Sequence, residues 1–417
     1  MSSSKNISGW QFAAFRIIFG AYLAWHFAAL LPFGPELFSA NGTLPSASLN
    51  LTYRAFPNLL AVADAPWEIR TFIALLFLAA IGLAAGWRRR SCALLLWYGW
   101  ACLFNRNNLI SNPGVPYVGL LLIFCALVPS GEPLSLERRA DPEWRMPALV
   151  FWGAWFLLAA GYTYSGVWKL LSPSWQDGSA LHHLLTNPLA RPGVCRNVLL
   201  TLPPPILAVL GWLALAGELA ALPLSLTRSG RLIAWTWMVV MHLGILSVVD
   251  FADLTLGMMM IHLFTFDPDW LRPRVAWQPL LLFDGECALC HRAVRFFSSQ
   301  DTHEVLRYAP LQGRLGRAIL SRHDLLRTDS MVLVENPSTP RERTFILSDA
   351  VLRTLTAIGG IWKLAGVASL APKPVRDRVY SLLASRRYSW FGRVRNSCAL
   401  PSPRLKRLVL EDSQPFG

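Results

Sequence analysis

The sequence predicts an α-helical multi-pass membrane bundle of about eight spans followed by a C-terminal α/β domain. Three observations predict it. Hydrophobic residues fill 53% of the 417 positions and charged residues only 15%, against the roughly 25% charge of soluble domains. Long apolar runs with sparse charge continue as far as Phe266 and then stop. Beyond that point Arg, Asp and Glu recur every few residues, and short apolar runs alternate with amphipathic stretches. The expected layout is a membrane part at 1–267, an α/β part at 278–398 and a basic, irregular tail at 399–417.

The expected spans are Phe12–Leu31, Ile69–Trp87, Cys92–Phe104, Val115–Val128, Pro147–Leu171, Ile206–Leu226, Leu232–Val249 and Leu254–Phe266, chosen by apolar length and flanking charge. Cys92–Phe104, Val115–Val128 and Leu254–Phe266 are short. At about 1.5 Å per residue they reach roughly 20 Å, less than a hydrocarbon core of about 30 Å. They are expected either to re-enter the bilayer or to recruit flanking residues.

Orientation follows from the basic residues. Arg88-Arg89-Arg90, then Arg138, Arg139 and Arg145, then Arg228 and Arg231 fall in alternate loops, as does the N-terminus with Lys5. The positive-inside rule makes that side cytoplasmic. Pro32–Glu68 and Ser172–Pro205 become long external loops, and the C-terminal domain lies inside. The first segment has no strong basic region and no clear small-residue cleavage site, so it reads as a retained span. The setting expected is a bacterial-type inner (cytoplasmic) membrane, with both termini cytoplasmic.

Seven cysteines are scattered along the chain. Cys92, Cys102 and Cys125 sit in apolar segments, Cys195 lies alone in an external loop, and Cys398 lies near the end. Such a set does not form a disulfide framework. Only Cys287 and Cys290 have meaningful spacing. They lie in Phe-Asp-Gly-Glu-Cys-Ala-Leu-Cys-His (Phe283–His291), where a short apolar run meets a Gly turn and then a helix-like segment. A thiolate at a helix N-terminus is stabilised by unpaired N–H groups and the helix dipole. A second thiol one turn on can resolve a mixed disulfide. Cys287 is therefore the expected attacking thiolate and Cys290 the resolving thiol. Asp284 is placed to cap the helix, or to accept the proton of Cys290. Two plainer readings stay open: an inert pair, and half of a zinc site with His291 and His303, which lacks a second pair at metal spacing.

The remaining C-terminal elements follow from pattern. Leu280–Phe283, Val305–Tyr308, Met331–Glu335 and Thr344–Ile346 read as strands, the last two joined as a hairpin by the turn-rich Asn336–Pro340. Cys290–Ser299, Leu315–Ser321, Ala350–Ile358 and Val375–Leu383 read as helices. This β-α-β-α-β-β-α order is that of a thioredoxin-like sheet.

Several blocks in order resemble the DCC family of thiol–disulfide oxidoreductases, from Leu280 to about Cys398. They are Phe283–Cys290, Tyr-Ala-Pro-Leu-Gln (308–312), Asp-Ser-Met-Val-Leu-Val (329–334), Ser-Asp-Ala-Val-Leu-Arg (348–353) and Arg-Tyr-Ser-Trp-Phe-Gly-Arg (387–393). The resemblance implies that Asp284, Cys287 and Cys290 are signature residues. Where thioredoxins place a cis-proline before the third strand, this chain has Asp329-Ser330. Ser348-Asp349 opens the next helix, and Asp349 is expected to cap it or to line the same end of the fold.

The membrane part, Gly9 to Phe266, resembles the HTTM domain shared with vitamin K-dependent gamma-carboxylases. The block that carries the resemblance is Tyr-Thr-Tyr-Ser-Gly-Val-Trp-Lys-Leu-Leu-Ser-Pro-Ser-Trp-Gln-Asp-Gly (Tyr162–Gly178). The resemblance implies that Lys169 matches the carboxylase base, with Trp175 and Gly178 in register. A lysine there can be desolvated into a base, or can simply snorkel to the headgroups. Arg16, His26, Glu218 and His242 are further ionisable residues inside apolar segments. They are expected to line a polar cavity or to satisfy one another.

Lys169 is expected toward the outer end of its span and Cys287 inside, so a membrane-soluble quinone is the natural link between the two parts. The resemblance to carboxylases suggests the same cofactor class. From Arg386 to Arg407 there are seven basic residues, no acidic ones, and Tyr388, Trp390 and Phe391. With the net charge of +14 this stretch reads as lying on an anionic leaflet rather than on nucleic acid. The partners expected are the bilayer and a protein thiol or disulfide. Two functions result: a membrane-bound thiol–disulfide oxidoreductase, or an HTTM-type enzyme acting at Lys169 with the cysteine module accessory. A non-catalytic scaffold or transporter is the third reading.

Overall fold

The computed structural model describes residues 4–50, 52–53, 55–137, 140–141, 143–250, 252–271, 278–392 and 403–410. Arg138, Arg139, Cys398 and parts of the expected tail lie outside the described residues. The chain divides into two compact units, one holding Gly9–Phe266 and the other Asp267–Gly417.

Among the described residues of the first unit five helices are long and apolar enough to cross a membrane: α1 Gly9–Leu30, α2 Pro66–Ala85, α5 Ala148–Leu170, α6 Pro204–Ser225 and α7 Arg228–Val248. The three short segments singled out in the sequence form α3 Arg89–Arg106, α4 Gly114–Leu127 and α8 Ala252–Thr265. Burial explains how short apolar helices fit here. Leu121, Leu122 and Cys125 of α4 and Ile261 of α8 are fully buried, whereas α7 exposes Trp237, Val240 and Leu243. A helix enclosed by protein has its backbone satisfied without reaching both interfaces.

Three charges organise one end of this unit. Glu132 pairs with Arg89 at 2.9 Å and with Arg16 at 3.4 Å, and all three are at most 1% exposed. The guanidinium of Arg16 also donates to the carbonyls of Leu83 (2.9 Å), Ala84 and Leu134 (2.7 Å). Arg89 donates to those of Cys125, Val128 (2.8 Å) and Pro129 (3.0 Å). Each arginine thus closes the C-terminal end of a helix, α2 or α4, where unpaired carbonyls and the helix dipole favour a cation. Neither expectation for Arg16, a cavity wall or a pair within the set Arg16, His26, Glu218 and His242, is met. Arg89 is likewise a buried staple rather than a loop charge. The α1–α2 contact is so close that a Cβ on Gly20 would stand 2.6 Å from the Ala84 nitrogen.

The second unit holds a four-stranded sheet: β1 Leu280–Phe283, β2 Arg307–Pro310, β3 Val332–Glu335 and β4 Arg343–Ile346. The order is β2-β1-β3-β4. β1 and β2 are parallel, with Leu281 opposite Tyr308, while β1–β3 and β3–β4 are antiparallel. The expected hairpin is the β3–β4 pair. The second strand starts two residues later than expected, because the N–H groups of Val305 and Leu306 go to the Asp301 carboxylate at 2.9 and 2.8 Å instead of to a ladder.

Helices cover both faces. Leu281, Phe283 and Leu333 meet α9 Ala288–Gln300 and α11 Leu347–Ile358 through Val294, Phe297, Ala350 and Ile358. Leu280, Leu282, Val332 and Val334 meet α10 Arg314–Arg322 through Ile319 and Leu320. Alternate residues of one strand serve opposite layers, as the pleat requires. A 3-10 helix, Gly360–Leu370, then α12 Lys373–Ser385 and α13 Arg387–Phe391 complete the unit. Part of the expected irregular tail belongs to this core: Pro403–Leu408 is helical and buries Leu405 and Leu408 to 1% exposure.

Neutralising Glu132 would leave two buried guanidinium groups without a counter-charge. Glu132→Gln is expected to cost about 3–5 kcal/mol, read as a lowered Tm of the purified protein in lipid nanodiscs. An unchanged Tm would remove the staple from the account of this bundle.

Candidate functional site

β1 ends at Phe283, and the chain turns through Asp284-Gly285-Glu286 into α9. The turn is fixed from both sides. Asp284 Oδ1 accepts from the Glu286 N–H at 3.0 Å, and the Cys287 N–H donates to the Asp284 carbonyl at 3.3 Å. His291 Nε2 donates to the Gly285 carbonyl at 2.8 Å. Gln312 donates to Asp284 Oδ1 at 2.8 Å and accepts from the Gly285 N–H at 3.1 Å.

The residue that caps α9 is Cys287, in extended conformation, its Sγ accepting from the Cys290 N–H at 3.3 Å. This corrects the expected capping role of Asp284, whose carboxylate turns inward. The two sulfurs differ in setting: Cys287 is fully buried and Cys290 is 9% exposed. Burial pushes the Cys290 thiol well above its ordinary range, and contact with Cys287 and the charge of Asp284 push it the same way. Cys290 therefore holds its proton while Cys287 takes the helix-terminal N–H.

Asp284 is the buried charge of the site, at 6% exposure. Its Oδ2 accepts from the Tyr388 hydroxyl and, at 3.4 Å, from Arg387. Burial alone would raise this carboxyl. Hydrogen bonds from Tyr388, the Glu286 N–H and Gln312, with the Arg387 charge, overcome that and hold it below the usual carboxylate range. Arg387 is held in turn by the Asp329 carboxylate and by the Asp329 carbonyl at 3.1 Å. Asp329, first of the pair at the cis-proline position of thioredoxins, thus anchors the arginine. Tyr380 accepts from the Met331 N–H at 3.1 Å just beyond it.

Other expected residues lie elsewhere. Ile346 occupies the N-cap position of the helix carrying Asp349 without a side-chain cap, and Asp349 is bound by Arg376 at 2.8 Å and Lys373 at 3.3 Å. His291 is taken by Gly285, and His303 pairs with Asp269 at 2.8 Å. Sequence reasoning assigned Arg387 and Tyr388 to a lipid-facing tail and gave Gln312 no role. The signal for them was present in Tyr-Ala-Pro-Leu-Gln and Arg-Tyr-Ser-Trp-Phe-Gly-Arg, whose Gln312, Arg387 and Tyr388 reach Asp284.

The membrane unit carries a second polar constellation. Lys169, in the last turn of α5, pairs with Glu218 of α6 at 2.5 Å and lies 4.9 Å from the Trp175 ring centroid. The Trp175 carbonyl accepts from the Trp212 indole at 2.9 Å. Lys169 and Glu218 line a cavity of about 1130 Å³ whose other walls include Trp175, Leu213, Trp237 and Met241. Gly178 adopts φ +81° with Ala208 against it, so a side chain there would be both strained and crowded. Deeper in the bundle the Tyr162 hydroxyl meets His242 Nε2 at 2.7 Å and His262 Nε2 at 2.8 Å. The expected alternatives thus divide: Glu218 lines a cavity, His242 meets a tyrosine through Nε2, and the ring of His26 lies 5.1 Å from that of Trp100.

The Asp284 network predicts an acid limb. Its folded pKa lies below the unfolded one, so its contribution to stability is present above the ordinary carboxylate range and is lost as pH falls through the folded value. Tyr388→Phe should raise the Asp284 pKa, move the acid unfolding limb to higher pH, and cost about 1.5–3 kcal/mol at neutrality. Denaturant unfolding from pH 7 to 3 checks it, and an unmoved limb would refute the assignment.

Residues 281–393 match the DCC1-like thiol-disulfide oxidoreductase family, and residues 5–270 match the HTTM domain. The uncharacterized protein YuxK of Bacillus subtilis (strain 168) is 38% identical over 133 residues, 31% of this chain and 93% of that protein. A chloroplastic DCC family protein of Arabidopsis thaliana is 36% identical over 140 residues, 32% of this chain and 78% of that protein. No solved structure matches the chain. The chain belongs to the HTTM family, its membrane domain joined to a DCC1-like thiol-disulfide oxidoreductase domain.

Proposed function

We propose that the protein is a membrane-anchored thiol–disulfide oxidoreductase whose cytoplasmic module turns over at Cys287 and Cys290. The observation that carries this reading is the cap itself: Cys287 Sγ receives the Cys290 N–H beside a buried, hydrogen-bonded Asp284. A helix-terminal sulfur is poised to attack as thiolate. Cys287 attacks one sulfur of a partner disulfide, forming a mixed disulfide and releasing the other partner sulfur as thiolate. With Asp284 held in its charged form, Cys290 gives its proton to water and attacks Cys287. The partner leaves as a dithiol after taking up two protons, and Cys287–Cys290 becomes the disulfide. Two electrons have passed to the partner; run backward, the same steps oxidise a partner dithiol.

A membrane quinone is the proposed electron link, in a bacterial-type inner membrane with both termini cytoplasmic. The cavity beside Lys169 suits such a group, since its walls are mostly apolar and Lys169 offers a donor to a ring oxygen. Bound there, a quinone would supply a two-electron, two-proton couple. A second reading, favoured by the Lys169–Glu218 pair at that cavity, makes Lys169 the base of an HTTM-type membrane enzyme. Glu218 would take the proton of the Lys169 ammonium, leaving the neutral amine to act as base.

Cys287→Ser and Lys169→Ala separate the readings. Cys287→Ser should reduce disulfide reduction by the protein in proteoliposomes to background. Cys290→Ser should trap the mixed disulfide, visible by mass under non-reducing conditions. Asp284→Asn should lower the Cys290 pKa, because the Asp284 charge helps to raise it, read as faster alkylation of Cys290 at a given pH. If Cys287→Ser retains full turnover, the proposal fails. Lys169→Ala should leave reduction of a soluble disulfide unchanged and abolish oxidation of the module by a quinone. Quinone-driven loss of thiol titre that survives Lys169→Ala would exclude this cavity as the link.

A further inference from the structure

The α/β module carries apolar side chains that its own core does not use. In the 3-10 helix Gly360–Leu370, Ile361, Leu364, Val367 and Leu370 recur every three residues. At three residues per turn that spacing places all four on one line. In α12, Val375, Val379, Leu382 and Leu383 form the corresponding stripe at α-helical spacing. All eight are 50–84% exposed. Soluble domains seldom leave ordered aliphatic stripes in water without a use for them.

The charges beside the stripes indicate what covers them. Between Gly360 and Gly392 there are six basic residues and one acidic one, Asp377. Asp377 is already engaged by Lys373 at 2.6 Å and by Ser348 at 2.5 Å. Lys363, Arg378 and Arg386 are exposed. Trp390, 54% exposed, lies under the Arg386 guanidinium at 5.4 Å. Aliphatic stripes bordered by cations and a tryptophan match a bilayer surface, where the chains enter the acyl boundary and the cations meet anionic headgroups. The same chain carries a membrane bundle, so a bilayer is present at high effective concentration.

We propose that the face formed by Gly360–Leu370 and Lys373–Ser385 docks the module onto an anionic lipid surface. It extends the lipid reading of the basic tail to ordered helices of the module. Its consequence for the thiols is direct. α13 follows α12 at once and supplies Arg387 and Tyr388 to Asp284, so the docked face adjoins the cysteine turn. The inference does not require the cysteines to turn over, and its test uses no thiol readout.

A photoreactive benzophenone side chain is installed in the full-length protein at Leu364, at Val379 or, as control, at Leu326, itself 60% exposed. The proteins are placed in nanodiscs of phosphatidylglycerol mixed with phosphatidylcholine, or of phosphatidylcholine alone. Irradiation is expected to give lipid adducts at Leu364 and Val379 and not at Leu326. Each of K363Q and R378Q should lower the yield roughly fivefold in the anionic discs. Adducts to protein, from a second copy or from elsewhere in the chain, would overturn the proposal, as would equal lipid yields in the two compositions. Hydrogen exchange of Gly360–Ser385, slowed on transfer from detergent into anionic discs, is the accompanying check, and unchanged exchange would also overturn it.

Discussion

A carboxylate kept charged inside an apolar core is the constraint around which the α/β module is arranged. Asp284 sits at the end of a central strand, and burial of a lone charge there would cost several kcal/mol. The fold meets that cost with donors brought from three places. One is the turn that Asp284 begins, another is Gln312 beyond β2, and the third is the Arg387-Tyr388 pair of a C-terminal helix. The cysteine turn, the loop preceding Met331 and the closing helix are therefore tied to one side chain. Loosening any of them exposes the others to the penalty of an unsatisfied charge.

The membrane unit solves a related problem with the signs reversed. Arg16 and Arg89 are as buried as Asp284, and a single glutamate faces both. The second positive charge is balanced by oriented carbonyls at two helix ends, whose partial charges behave as a distributed anion. This arrangement fixes the ends of α2 and α4 by means that do not depend on helix length.

Period and turn chemistry made much of this legible. The strands of the module, its hairpin and its helices were readable to within a few residues, because β-branched runs and amphipathic periods are local signals. That Cys287 and Cys290 open a helix was readable for the same reason. What escaped was non-local. The contact of Tyr388 with Asp284 spans 104 positions and that of Arg16 with Leu134 spans 118. An arginine in a basic run looks the same whether it meets solvent, lipid or a buried carboxylate. Asp284 looked like a helix cap because Asp commonly is one, yet a cysteine took that place and left the aspartate free to turn inward.

The tyrosine held between His242 and His262 has a consequence for proton order. Its hydroxyl owns one hydrogen, so it can donate to only one of the two ring nitrogens that approach it. With both imidazoles neutral, the other must donate to the tyrosine oxygen, and the rings are forced into opposite tautomers. Reversing that polarity means moving hydrogens on all three side chains together. The trio is thus a two-state element, set one way or the other as a unit.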